Sequence, residues 1–220
     1  MKVLSNLLIA LLTMSLVVAC TPTPEGEAAK TGEAQQEAAT PTTAKTFNIT
    51  GGTLYWVGTK VGGQHNGTIA VSDGNLNVAG DNIASGEFTI DMASIQNMDL
   101  PEDKKGKLVG HLQSADFFNV AEFPTSTFTI VSVTPATGED VTHNITGNLT
   151  IKGITKSITI PANVVIMNDK LTAVTPKFTI NRTNWDVKYG SGIIGTAQDK
   201  IIHDDISLNL ELNAEATTEG

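Results

Sequence analysis

Residues 206–213 read Ile206-Ser207-Leu208-Asn209-Leu210-Glu211-Leu212-Asn213. Every second side chain is aliphatic and its neighbours are polar, the two-residue period of a strand with one face on a core and the other in water. The alternation recurs in Phe88-Thr89-Ile90, Phe128-Thr129-Ile130, Ile158-Thr159-Ile160 and Phe178-Thr179-Ile180, and along Ile145, Leu149 and Ile151. About eight or nine strands are expected from this pattern. Turn-forming residues separate them at 72–75, 80–82, 137–140, 152–153 and 167–170, and connections that short demand antiparallel neighbours. One interval departs from the pattern. Between Pro101 and Val120, Leu108, Val109, Leu112 and Phe117 fall at helix-like spacing, with Pro101 suited to a first turn, so a short helix is expected near 101–117. Many antiparallel strands with few long links build either a sandwich or a closed barrel. Periodicity does not choose between them, and the interior is packed or hollow.

The chain has 220 residues, 40% hydrophobic and 17% charged, enough for one domain with a substantial core. Its 14 basic residues face 23 acidic ones for a net charge of −9. Nucleic acid is therefore excluded as a partner, because phosphate binding relies on clustered Lys and Arg. At the amino end, Met1-Lys2 precedes an apolar run from Val3 to Val18, too short for a span of about 20 residues and typical of an export signal. Residues 1–19 read as that signal. Val17-Val18-Ala19 leads into Cys20, the one cysteine of the chain, and the stretch resembles a bacterial lipobox. That resemblance implies a palmitate-type acyl anchor on Cys20, each buried CH₂ contributing about 0.8 kcal/mol to membrane attachment. Thr21 after the cysteine resembles an outer-membrane sorting signal and implies a domain facing the periplasm.

Residues 21–45 contain no aromatic, Val, Leu or Ile. With no apolar surface to offset ordering entropy, residues 20–45 are expected to be a disordered tether from the lipidated cysteine, with a reach of roughly 25–30 Å. Residues 214–220 read as a polar tail, which leaves 46–213 for the folded domain.

Four stretches carry a family resemblance. His111-Leu112-Gln113-Ser114-Ala115-Asp116-Phe117-Phe118-Asn119-Val120, followed by Phe123-Pro124-Thr125-Ser126-Thr127-Phe128, is similar to the signature of the YceI-like family. Gly147-Asn148-Leu149-Thr150-Ile151-Lys152-Gly153-Ile154-Thr155-Lys156 resembles the hairpin of that family. Phe178-Thr179-Ile180-Asn181-Arg182-Thr183-Asn184-Trp185 resembles its Arg-containing strand, and residues 56–67 resemble the first hairpin of its lipoprotein members. The resemblance implies an all-β, eight-stranded antiparallel lipocalin-like barrel holding a polyprenyl chain, an isoprenoid quinone or another long-chain amphipathic lipid. An apolar tube of that kind gains about 25 cal/mol per Å² of hydrocarbon it covers. Candidate lining residues are Phe88, Ile90, Phe128, Ile130, Leu149, Ile151, Phe178, Ile180, Leu208 and Leu210, with Phe117 and Phe118 beside the helix. Each reads equally well as plain core.

The polar motif residues suggest less. His65, His111, His143 and His203 show no metal-ligand spacing, so no metal or other cofactor is expected. Ser114 and Asp116 read as loop or helix-end caps rather than parts of a catalytic triad. Arg182 is a candidate for an anionic head group, against the simpler reading that a carboxylate such as Asp116 or Asp204 fixes it. The Asn-x-Ser/Thr matches at Asn48, Asn66, Asn144, Asn148 and Asn181 follow from strand-loving threonine. The expected function is a non-enzymatic, membrane-anchored lipid carrier, and a homodimer is compatible with it. The alternatives are an enzyme accessory of the envelope and an interaction lipoprotein with a filled barrel.

Overall fold

The structure is a computed structural model that describes residues 22–138 and 140–217. The signal at 1–19 and Cys20 lie outside the described residues. The chain runs through β1 (Glu27–Ala28), β2 (Lys30–Glu33), β3 (Lys45–Lys60), β4 (Gly63–Ala79), β5 (Asn82–Asn97) and α1 (Glu102–Gln113). It continues through β6 (Thr125–Gly138), β7 (Val141–Ile151), β8 (Ile154–Met167), β9 (Lys170–Val174), β10 (Phe178–Asn181) and β11 (Asp205–Ala216). Consecutive strands from β3 to β9 pair antiparallel, apart from the helical excursion between β5 and β6, and β11 returns to pair with β3. β9 pairs with both β8 and β11, which closes the ring. Counting β9 and β10 as one interrupted strand, the wall is a closed eight-stranded antiparallel barrel with a single short helix.

The tight turns sit where local chemistry puts them. Lys152 and Gly153 have φ of 50° and 71°, and Asn168 and Asp169 have 49° and 63°. Two successive positive φ values match the twist of hairpin strands. The stretch 72–75 differs from expectation. It is no turn: β4 runs through it with a register shift between Val71 and Asp73 against β5. Gly74 has φ 142°, and a Cβ there would fall on the Glu87 carbonyl and the Phe88 backbone. Its glycine lets a long strand bend around a narrow barrel.

The helix also follows expectation in position, spanning Glu102–Gln113 with Pro101 as its capping residue. The carboxyl-terminal boundary needs correction. β11 reaches Ala216 with Ala214 buried, because the inward alternation of Leu208, Leu210 and Leu212 continues past a bulge at Asn213/Ala214.

The larger correction concerns the expected tether. Residues 22–40 lie against the barrel. The cause is a split in the wall after Pro176, which has no N–H to donate to a ladder. Beyond it β10 has a wall strand, β11, on one side only, and the Lys156–Thr159 part of β8 likewise has only β7. β1 pairs in parallel with β10 and β2 antiparallel with β8, so the amino-terminal segment fills the split. Backbone hydrogen bonds do this, and any residue type but proline supplies both donor and acceptor.

Candidate lipid-binding cavity

The barrel interior divides in two. In the half remote from the helix, Phe88 and Phe128 stack with ring centroids 5.2 Å apart. Phe128 lies over Gly147, where any Cβ would collide with the ring. Ile130, Ile145, Ile160 and Leu210 close around them, leaving a void of only about 30 Å³. In the half near the helix the barrel holds a larger cavity of about 160 Å³, room for roughly five waters by volume. Its wall offers them almost nothing to bond, so water gains little there.

Each element contributes the residues of its inward face. β3 supplies Leu54 and Trp56, β5 supplies Ile90, Met92 and Ile95, and β7 supplies Leu149 and Ile151. β10 and β11 add Ile180, Ile206 and Leu208. The helix closes over the end with Leu108 and Leu112, followed by Phe117 and Phe118. After β10 the chain turns through a 3-10 segment, Arg182–Trp185, whose Asn181 cap accepts from Thr183 N at 3.1 Å. That turn drives Trp185 into the interior, where its indole N–H donates to the Leu149 carbonyl at 3.0 Å.

The structure thus places eight of the thirteen sequence candidates at the cavity: Ile90, Phe117, Phe118, Leu149, Ile151, Ile180, Arg182 and Leu208. Phe88, Phe128, Ile130 and Leu210 line the small void instead, and Phe178 is packed core. The alternation of Leu54, Trp56 and Gly58 pointed to Trp56, which the sequence reading did not single out. Trp185, Val187, Ile202 and His203 also line the cavity from irregular backbone without a period to read.

Arg182 lines the wall, yet its donors are engaged. Nε donates to His203 O at 3.2 Å, Nη1 to Val187 O at 2.7 Å, and Nη2 to Ile202 O at 3.2 Å and Asp204 at 3.3 Å. Burial pulls its pKa below the ordinary arginine value, and the Asp204 charge opposes the shift. Asp204 also accepts from Ser191 at 2.9 Å. Arg182 therefore ties the segment 187–204 to β10, the role of an Arg fixed by Asp204. Asp116 lies 3.5 Å from His111, and Ser114 donates to the His111 carbonyl at 2.8 Å as a helix-end cap.

The rim has its own anchor. Asp99 accepts from Asn66 N at 2.8 Å and Asn97 Nδ2 at 2.6 Å, and meets His65 Nδ1 at 2.8 Å. Burial pushes the Asp99 carboxyl up, but these bonds outweigh it and hold the group below the usual carboxylate value. Around this end Val61, Met98, Tyr189, Ile193 and Ile194 are exposed apolar residues. The other two histidines serve locally, with His203 Nδ1 2.7 Å from Thr59 Oγ1 and His143 Nδ1 2.7 Å from Thr142 Oγ1. Among the described residues no cluster of three or more His, Cys, Asp or Glu is placed to hold a metal.

Residues 41–214 match the sequence model of the YceI-like domain. The chain belongs to the YceI-like family. Curated YceI proteins of Salmonella arizonae and Salmonella newport are each 41% identical over 81 residues, 37% of this chain and 38% of theirs. That match spans well under half the length of those relatives. Among solved structures, BcnA of Burkholderia cenocepacia superposes with a TM-score of 0.58 at 22% identity, covering 74% of this chain and 95% of BcnA. A polyisoprenoid-binding domain from Saccharophagus degradans, implicated in plant cell wall breakdown, superposes with 0.56 at 15% identity, covering 78% and 98%. At such identities the likeness concerns the YceI-like fold.

Proposed function

We propose that this YceI-like protein binds an isoprenoid-type lipid, a polyprenyl chain or an isoprenoid quinone, in the helix-side cavity. It holds or carries that lipid while anchored through an acylated Cys20, and we place it at the outer membrane facing the periplasm. The observation that carries this reading is the wall of the cavity: aliphatic and aromatic side chains from β3, β5, β7, β10, β11 and α1 surround a space left empty by the chain itself. Well-packed interiors have few such voids, and an unfilled one of this size forfeits packing energy. A hydrocarbon guest restores it. The polyisoprenoid-binding domain of the Saccharophagus degradans protein, with the same fold, supports the lipid class. The exposed apolar residues at the rim suit contact with a membrane. The placement at the outer membrane is supported by the lipobox-like residues before Cys20 and by Thr21.

Trp56 and Trp185 are the chain's only tryptophans, and both line the cavity. Titrating the full-length protein with a short-chain ubiquinone should quench its tryptophan emission saturably, and a polyprenol of the same chain length should compete. Emission indifferent to both ligands would overturn the proposal.

A further inference from the structure

The segment before the family-matched residues is part of the barrel wall without belonging to its core. The family match begins at residue 41, yet residues 25–40 follow a continuous track around the outside of the barrel. Glu25 N donates to Ser207 Oγ on β11 at 2.7 Å, and Ala29 N to Thr179 O on β10 at 2.8 Å. β2 then lies along β8. Gln35 next joins β7 and β8: its N–H donates to Asn148 Oδ1 at 2.9 Å, its carbonyl accepts from Asn148 Nδ2 at 2.8 Å, and its side chain donates to Ser157 Oγ at 2.8 Å. Ala38 N donates to Ile130 O on β6 at 3.0 Å, and Thr40 meets Ser85 on β5 at 2.7 Å.

Two features suit this contact to release. The segment offers nothing larger than Pro, Ala or Thr as apolar surface, and most of it is exposed, so hydrogen bonds and strand pairing carry the attachment with little hydrophobic gain. The track is equally unusual. Ser85, Asn148, Ser157 and Ser207 are outward-facing residues no more than 6% exposed, and each is held by the segment. Small polar groups are satisfied by the segment when covered and by water when bare. A greasy track would instead lock the segment down or aggregate once exposed.

We propose that residues 22–40 are a releasable strap that closes the barrel wall between β8 and β10, and that its release opens the wall beside the cavity. Docked, the strap pairs the free edge of β10, whose Ile180 lines the cavity, and packs Ala29 against the core behind the split. Released, it leaves two unpaired edges and a free tether of the length a membrane anchor uses. The consequence that a lipid passes more readily through the opened wall rests on the proposed function. The strap itself does not.

Hydrogen exchange on the full-length protein tests it, compared with a Gly32→Cys/Ser157→Cys variant that cross-links directly paired positions of β2 and β8. Amides of residues 27–38 should exchange as one group, at least about 100-fold faster than those of β3 and β11. Oxidation of the variant should slow that group and, with it, the edge amides of 156–160 and 178–181. Gln35→Ala, which keeps the barrel intact, should speed the same amides. Release of a short-chain ubiquinone should be slower from the oxidised variant than from the reduced one. Strap amides that exchange only with the core would overturn the proposal, as would edge amides indifferent to the cross-link. Unequal exchange with no quinone uptake would support the strap and refute the lipid reading alone. Equal quinone release from the two forms would refute passage through the split.

Discussion

Leu208→Trp places a larger side chain in the cavity from the wall of β11. In a filled core such a change overpacks and costs about 1–3 kcal/mol. Here Leu208 borders a void of about 160 Å³. At about 24 cal/mol per Å³ of cavity, filling all of it would return about 4 kcal/mol, and an indole replacing an isobutyl group fills a part, giving about 1–2 kcal/mol. For a domain of this size each kcal/mol raises Tm by about 2–4 °C. The variant should therefore melt a few degrees above the parent when both are stripped of lipid, while its affinity for a short-chain ubiquinone falls at least about tenfold, because ring and guest compete for one space. Thermal melts followed by circular dichroism and quinone titrations monitored by equilibrium dialysis provide the readouts. Destabilisation by 1–3 kcal/mol together with undiminished quinone binding would refute the reasoning, since it would mean the space is neither empty nor the binding site.

Gly147→Ala should destabilise the domain by about 1–3 kcal/mol in urea unfolding, because its Cβ would meet the Phe128 ring, and Phe128→Leu in the same chain should restore part of the loss. Arg182→Met leaves Asp204 without its cation and three carbonyls without a donor, so a loss of about 3–5 kcal/mol is expected in the same assay. Asp99 has a folded pKa below its unfolded one, so its contribution is complete above the ordinary carboxylate value and is lost as pH falls through the folded pKa. The Tm gap between the parent and Asp99→Asn should therefore be widest above the ordinary carboxylate range and narrow steadily as the pH falls below it.

The wall of the barrel was legible because each strand writes its burial in alternate residues. Ile206 to Asn213 shows it plainly, and the turns at 152–153 and 168–169 carry residues that accept positive φ. The division of the interior was not legible. Phe88 and Phe128 alternate as Ile180 and Leu208 do, and only the facing Gly147 decides that the first pair fills its half of the barrel. Gly74 read as a turn because glycine marks both turns and close strand approaches. The strap was missed for a deeper reason. Its attachment uses backbone donors and small polar partners far away in sequence, so its own composition, correct for a segment unable to build a core, said nothing of the split it fills.

The most direct test of the account is the content of the cavity in protein made in a bacterial envelope. The full-length protein, purified from membranes and extracted with organic solvent, should release close to one isoprenoid lipid per chain by mass spectrometry, and Leu208→Trp prepared alongside should release little. A parent protein that carries no such lipid, and takes none up when polyprenols or quinones are added, would contradict the claim that the barrel is built around a hydrocarbon guest.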